Sequence, residues 1–275
     1  MTVQSKILEL QGNTIRFFLS GVEVGVINAL RRIMLAEVPT MAIDDVIVIE
    51  NSSPMRDEMV AQRLGLIPLK TDLDSYVLPG DCDCQSEMGC NKCSVTLTLD
   101  TEAVDATRTV YSKELESFDP DILPVSMDIP ILKLAREQRV RMELYARLGK
   151  GGDHAKWQSV SACAYKHAST ISIDRKKCGS GGKGIKVCPH HLLREEENHI
   201  VVIADKGCEL CTESLRQCPA DAIREEKHDD AFIFTVESTG AISPTRAVSE
   251  AIKILLGKVE AFNEEVSNIK AGKAT

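Results

Sequence analysis

The sequence predicts an α+β protein, and three observations predict it. Apolar and polar residues alternate along much of the middle of the chain, as they do in half-buried strands. Helical spacing governs one stretch near the N-terminus and a long one at the C-terminus. Within the latter, apolar residues form a seam at 3.5-residue spacing, the period at which one helix lies along another. With 275 residues, 43% of them hydrophobic, the chain has material for one large or two modest cores and is too apolar for a disordered protein.

Each element follows from its residues. Residues 7–10 and 15–19 are apolar runs separated by Gly12-Asn13, a pair that favours a tight turn, and they predict a β-hairpin. Residues 22–38 predict a helix with Val22, Val26, Ala29, Leu30, Ile33 and Met34 on its broad apolar face; Arg31 and Arg32 lie off that stripe and Pro39 ends it. Residues 41–49 are β-branched and predict a buried strand, and residues 56–66 return to helical spacing before Pro68. Val95, Leu97 and Leu99 alternate with polar residues, a half-buried strand. Residues 120–130 hold three prolines and predict an extended connection. Residues 140–148 and 160–165 read as strands joined by the glycine-rich stretch 149–154, and Phe232, Phe234 and Val236 mark one more strand face.

The last element is the clearest. Ser243 and Pro244 supply an N-cap and a first-position proline. Val248, Ile252, Leu255, Val259, Phe262, Val266 and Ile269 then recur at alternating spacings of four and three residues. Such a helix either lies on its own core or presents a seam to a partner.

Charge and composition exclude several classes. Lys and Arg number 33 against 41 Asp and Glu, a formal net charge of −8, whereas a duplex-DNA binder shows a basic footprint. Direct sequence-specific contact with nucleic acid is not expected. No apolar run reaches the roughly 18–20 residues of a membrane span. The first twenty residues alternate and carry charge, unlike a signal peptide, so the expected location is the cytoplasm. Ten cysteines in a reducing compartment point to metal, clusters or redox chemistry rather than structural disulfides.

The cysteines fall into two groups, with Cys163 alone in an apolar alternation where a free thiol packs as a small hydrophobe. Cys82, Cys84, Cys90 and Cys93 form two close pairs on a short loop, the arrangement of tetrahedral thiolate zinc sites, and Gly89 permits a tight turn before the second pair. The alternative is a reduced loop without metal. Cys208, Cys211, Ser214 and Cys218, followed by Pro219, match the ferredoxin run C-x2-C-x2-C-x3-C-P with serine third, and Cys188-Pro189 resembles the end of a second run. Carried over, Cys188, Cys208 and Cys211 share one site with Ser214 in the fourth position. Cys178 and Cys218 remain from an incomplete second site. A three-iron cluster, a four-iron cluster with a non-cysteine ligand, or a fold that has lost its cluster are all open on this pattern.

No active site stands out. Residues 179–184 lack the spacing and the Ser/Thr of a phosphate loop, and Gly149-Lys150-Gly151 lacks the third glycine of a dinucleotide fingerprint. His190-His191 reads as a surface loop, and the pairs Asp44-Asp45 and Asp229-Asp230 read as solvated strand ends.

Several blocks together carry a resemblance. Residues 28–39, which contain Asn28-Ala29-Leu30-Arg31-Arg32-Ile33, resemble a helix of the RNA polymerase alpha-subunit-like family. Residues 58–69, with Gln62-Arg63-Leu64-Gly65-Leu66-Ile67-Pro68-Leu69, residues 154–158, and residues 236–240 with Ser243-Pro244 are similar to that family too, and the cysteine-rich insert is similar to its archaeal branch. The resemblance implies an alpha-like dimerisation module, residues 1–43 and 225–275. It also implies an inserted mainly-β domain, residues 44–170, and a small ferredoxin-like segment, residues 171–224. It implies a non-catalytic assembly subunit of DNA-directed RNA polymerase that pairs with a smaller alpha-like (L-type) subunit and meets the large catalytic subunits. Asn28, Arg31, Arg32, Val248, Ile252, Leu255, Val259 and Phe262 are the expected partner contacts. The competing readings are an iron–sulfur electron-transfer or redox protein and a zinc-containing nucleic-acid binder.

Overall fold

A computed structural model describes residues 2–84, 86, 88–173, 193–196, 199–202 and 223–270, with side chains set aside at 169–173, 193–196, 199–202, 223–227 and 270. Twelve strands and three α-helices are described, in the mixed α/β pattern expected. The chain divides into two units.

The first unit comprises Met1–Glu9, Arg16–Val24 and Tyr165–Phe234. It contains most of β1 (Gln4–Gln11) and β2 (Thr14–Ser20), together with parts of β9 (Val160–Ile173) and β12 (Ile223–Ser238). These four strands lie in the order β1-β2-β12-β9. The predicted N-terminal hairpin is therefore present, and Gly12 at its turn has φ +54°, a left-handed conformation that glycine adopts without strain. Aromatic rings fill the inner face: Phe17 stacks on Phe234 at 5.0 Å, and Tyr165 meets Phe232 edge-on at 5.8 Å. β10 (Leu193–Glu196) and β11 (His199–Val202) pair antiparallel.

The second unit comprises Leu10–Ile15, Gly25–Ala164 and Thr235–Thr275. Its main sheet has the order β3-β8-β4-β6, built from β3 (Thr40–Asn51), β4 (Ser94–Ala103), β6 (Leu115–Ser117) and β8 (Gln138–Gly149). β5 (Arg108–Tyr111) and β7 (Pro130–Leu134) pair beside it. Alternation places Val95, Leu97 and Leu99 of β4, and Val140, Met142 and Leu144 of β8, in one core, with Val60 and Leu64 of α2 (Asp57–Gly65) packed onto it. The strands read at 140–148 and 160–165 are β8 and β9, but they belong to different sheets, so the glycine-rich stretch between them crosses over rather than closing a hairpin.

Two sequence readings need correction here. The buried face of α1 (Val24–Ala36) is Ile27, Leu30, Ile33 and Met34; Val26 is exposed and Val22 precedes the helix. Asp44 and Asp45 are solvated as expected, Asp44 exposed and Asp45 half-buried, but they do not end a strand. They sit at a register shift inside β3, where Arg147 Nη2 reaches Asp45 at 2.5 Å and Lys156 Nζ reaches Asp44 at 2.6 Å. Asp229 and Asp230 likewise lie within β12, not beside it.

Candidate dimerisation face and metal centre

The C-terminal helix α3 runs Pro244–Lys270, 27 residues or about 40 Å. The Ser243 hydroxyl accepts from the Arg246 amide at 3.2 Å, the predicted N-cap. Its first turns are held down: Ala247 and Ala251 are fully buried, and Arg246 pairs with Glu250 at 2.8 Å and with Asp74 at 2.6 Å.

Beyond Ala251 the helix changes character. No residue from 252 to 269 is buried, and Ile252, Leu256, Val259, Phe262 and Ile269 keep 49–67% of their surface exposed. Of the expected seam, Ile252, Val259, Phe262 and Ile269 are exposed, while Val248, Leu255 and Val266 are half-buried. Leu256 lies outside the 3.5-residue series and widens the apolar face, which the seam count alone missed. On α1, Arg31 donates to the Asn28 side-chain oxygen at 3.0 and 3.2 Å; both are half-buried, and Arg32 is exposed. So many uncovered apolar side chains along one helix mark an interaction surface.

The second feature is the cysteine loop. A short 3-10 turn at Pro79–Asp81 leads into it, and β4 leads out. The Cys93 and Ser94 amides both donate to the Cys90 carbonyl, at 2.9 and 2.8 Å, and the Cys90 amide donates to Cys93 Sγ at 3.2 Å. Gly89 has φ +80°, and a Cβ there would lie 2.6 Å from Ser94 Cβ, so only glycine fits.

This backbone gathers all four predicted sulfurs, which lie within 4.8 Å of one another. Cys82 and Cys90 are 3.7 Å apart, Cys84 and Cys93 are 3.7 Å apart, and Cys90 and Cys93 are 3.9 Å apart. A metal–sulfur bond of about 2.3 Å in a tetrahedron requires sulfurs about 3.8 Å apart, so the donor set fits a tetrahedral thiolate-bound ion. The Cys90 thiol is drawn down to about 7, chiefly by the Lys92 backbone amide and against desolvation. The Cys84 amide pulls Cys82 down as well, but desolvation and its hydrogen bonds to the other thiols outweigh it and push Cys82 up to about 12. Desolvation raises Cys93. Cys90 is thus the readily ionised thiol, while Cys82 and Cys93 hold protons that a bound cation would displace.

Cys163 is a partly buried free thiol outside this loop. The ferredoxin-like residues Cys178, Cys188, Cys208, Cys211, Ser214 and Cys218, and His190-His191, lie outside the described residues. Among the described residues no helix is long and apolar enough to cross a membrane.

Comparison with known proteins fits this arrangement. Residues 16–259 match the family model described as the RNA polymerase Rpb3/Rpb11 dimerisation domain. The DNA-directed RNA polymerase subunit Rpo3 of Methanosphaera stadtmanae is 39% identical over 89% of this chain and 91% of its own length. The Rpo3 subunits of Methanosarcina mazei and Pyrococcus horikoshii are 37% and 38% identical, covering 94% and 97% of this chain and 97% and 99% of their own lengths. With a family match from residue 16 to residue 259 and relatives aligned along almost all of the chain, it belongs to the Rpb3/Rpb11 dimerisation family, in the Rpo3 or D-type branch of archaeal RNA polymerase subunits.

Proposed function

We infer that the protein is a non-catalytic assembly subunit of DNA-directed RNA polymerase, pairing with a smaller alpha-like subunit to form the platform on which the large subunits gather. The observation that carries this reading is the uncovered apolar face of α3 from Ile252 to Ile269. A 3.5-residue seam suits a second helix laid along it, and burying such side chains is worth about 1.5–3 kcal/mol each. Asn28, Arg31 and Arg32 on α1 supply polar contacts at the same interface, with Val248, Ile252, Leu255, Val259 and Phe262 as its apolar row. Nucleotide addition belongs to the large subunits, so no catalytic residue is assigned to this chain. The polymerase, and this subunit with it, works in the cytoplasm.

Function divides the chain differently from packing. Residues 1–43 and 225–275 form the dimerisation module, residues 44–170 an insertion domain facing the large subunits, and residues 171–224 a ferredoxin-like segment. Zinc is the ion best suited to Cys82, Cys84, Cys90 and Cys93, which would hold it with four thiolates and no open position, as a structural site requires. An iron–sulfur cluster on Cys188, Cys208, Cys211 and Cys218, with Cys178 or Ser214, would likewise hold the insert together.

Co-expression with a small alpha-like polymerase subunit tests the reading. A stable 1:1 complex by light scattering is expected, and a chain that stays alone with that partner present would refute it. The electron-transfer alternative rests on cysteines outside the described residues, and the relatives compared above carry polymerase names.

A further inference from the structure

The main sheet, β3-β8-β4-β6, buries one face and leaves the other open. Leu97 of β4, Leu144 of β8 and Leu115 of β6 lie in the core, with Val46 and Val48 of β3 packed against it. Side chains alternate along a strand, so the residues between these point the other way. Strand register sets them in rows. Ile47 pairs with Glu143, Glu143 with Thr98, and Thr98 with Glu116, one row across all four strands. The adjacent row runs Asp45, Tyr145, Thr96, and Phe118 extends it, its amide donating to the Thr96 carbonyl at 3.1 Å.

This outer face is apolar at its margins and acidic at its centre. Ile47 at one margin keeps 44% of its surface exposed, and Phe118 at the other keeps 78%. Apolar groups left open on both margins of one face mark an interaction surface. Other charges on the face are matched, Asp45 by Arg147 and Asp100 by Arg139 and Arg141. Glu116 and Glu143 are not. Neither meets a cation among the described residues, and Glu143 accepts a hydrogen bond from the Tyr145 hydroxyl at 3.5 Å. The two lie on the strands that flank β4, two inter-strand spacings or about 10 Å apart. Residues seven apart on a helix share a face and are separated by about 10.5 Å.

We propose that the outer face of β3-β8-β4-β6 docks a basic amphipathic helix of a large polymerase subunit. Two cations seven residues apart on that helix meet Glu143 and Glu116, while its apolar side chains cover Ile47 and Phe118. The proposal rests on the assembly reading above, in which residues 44–170 face the large subunits, and names the surface and the chemistry of its occupant. Charge favours this occupant over a second copy of the chain. Two copies of the face would set free carboxylates against one another, and like charges facing across an interface oppose binding.

The test uses the full chain in complex with its small alpha-like partner, immobilised through the partner and titrated with the purified large subunits. Glu116→Lys combined with Glu143→Lys should lower capture at least about tenfold, because like charges then meet across the interface. Phe118→Asp should lower it too, and a side chain 78% exposed can be replaced without disturbing the core. A control, Glu58→Lys with Asp105→Lys, reverses two exposed charges at the start of α2 and beyond β4, and should leave capture unchanged. Undiminished capture in both face variants overturns the proposal, as does an equal loss in the control. A wild-type chain that self-associates by light scattering, and that Glu116→Lys with Glu143→Lys makes monomeric, gives the face to a second copy and also overturns it. Every variant should still pair with the small partner. A wild-type chain that does not pair overturns the assembly reading instead.

Discussion

Lys258 Nζ lies 2.6 Å from Glu37 Oε1, and this ion pair is the most C-terminal tie described between α3 and the rest of its unit. Both side chains are substantially solvated, so the pair contributes at most about 1 kcal/mol. Past it, α3 runs on with its apolar face open. The attachment of the helix to its own chain and its readiness for a partner are thus separate properties, carried by different residues.

That separation yields a direct test. Val259→Glu combined with Phe262→Glu removes two exposed apolar side chains and nothing from the core, so thermal unfolding of the isolated chain should be unchanged. Each loss is worth about 1.5–3 kcal/mol in the interface, so partner affinity should fall a hundredfold or more. Lys258→Ala should leave capture within about fivefold of wild type. Size-exclusion chromatography of the co-expressed pair reads both outcomes, and capture that survives the double substitution places the interface elsewhere.

Metal removal is the second test. Chelation, or Cys90→Ser, should take bound zinc from one per chain to none by elemental analysis. It should expose residues 82–93 to proteolysis. The sheet core of Leu97, Leu99, Val140, Met142 and Leu144 lies outside the loop and is closed by apolar packing, so the main unfolding transition should persist. A single shared loss of loop and core would show that the ion holds more than its own loop.

The sequence made some of this legible and hid the rest for physical reasons. The α3 seam was readable because a 3.5-residue period has few other uses. On α1 the same reasoning found Leu30, Ile33 and Met34 but placed Val22 and Val26 on the buried face and missed Ile27. Val24, Val26, Ile27, Ala29, Leu30, Ile33, Met34 and Leu35 are apolar almost all round, so periodicity cannot say which side meets the core and which is left exposed. Strands β5, β6 and β7 are only three to five residues long, and β3 finds its partner β8 a hundred residues away, a pairing that no local pattern encodes. The four-cysteine site was readable from spacing.

Gly149 illustrates a constraint that composition conceals. A Cβ at this position would lie 2.3 Å from two ring carbons of Trp157. The ring is pinned by its indole N–H donating to the Arg147 carbonyl at 3.1 Å and by the Lys156 ammonium 4.3 Å from its centroid. The ring cannot move aside without breaking that bond. Gly149→Ala should therefore cost about 1–3 kcal/mol, seen as a lowered melting temperature, although alanine is the smallest substitution available. An unchanged melting temperature would show that the Trp157 ring yields.

The last prediction concerns pH. Burial pushes the Cys163 thiol up to about 11, with only a partial opposing pull from the charge of Arg31. In the unfolded chain the same thiol titrates near 8.5. The folded value is the higher, so the contribution of Cys163 to stability is fully present below about pH 8.5 and is lost as pH rises through 11, where the native state must also release the proton. The thiolate is the reactive form. At pH 8 the folded chain should therefore alkylate at Cys163 at least a hundredfold more slowly than the chain in denaturant, and the gap should narrow steadily as pH approaches 11. Peptide-resolved mass spectrometry distinguishes this cysteine from the nine others. Equal labelling rates at pH 8 in the folded and unfolded chains would mean that Cys163 is not packed as its burial indicates.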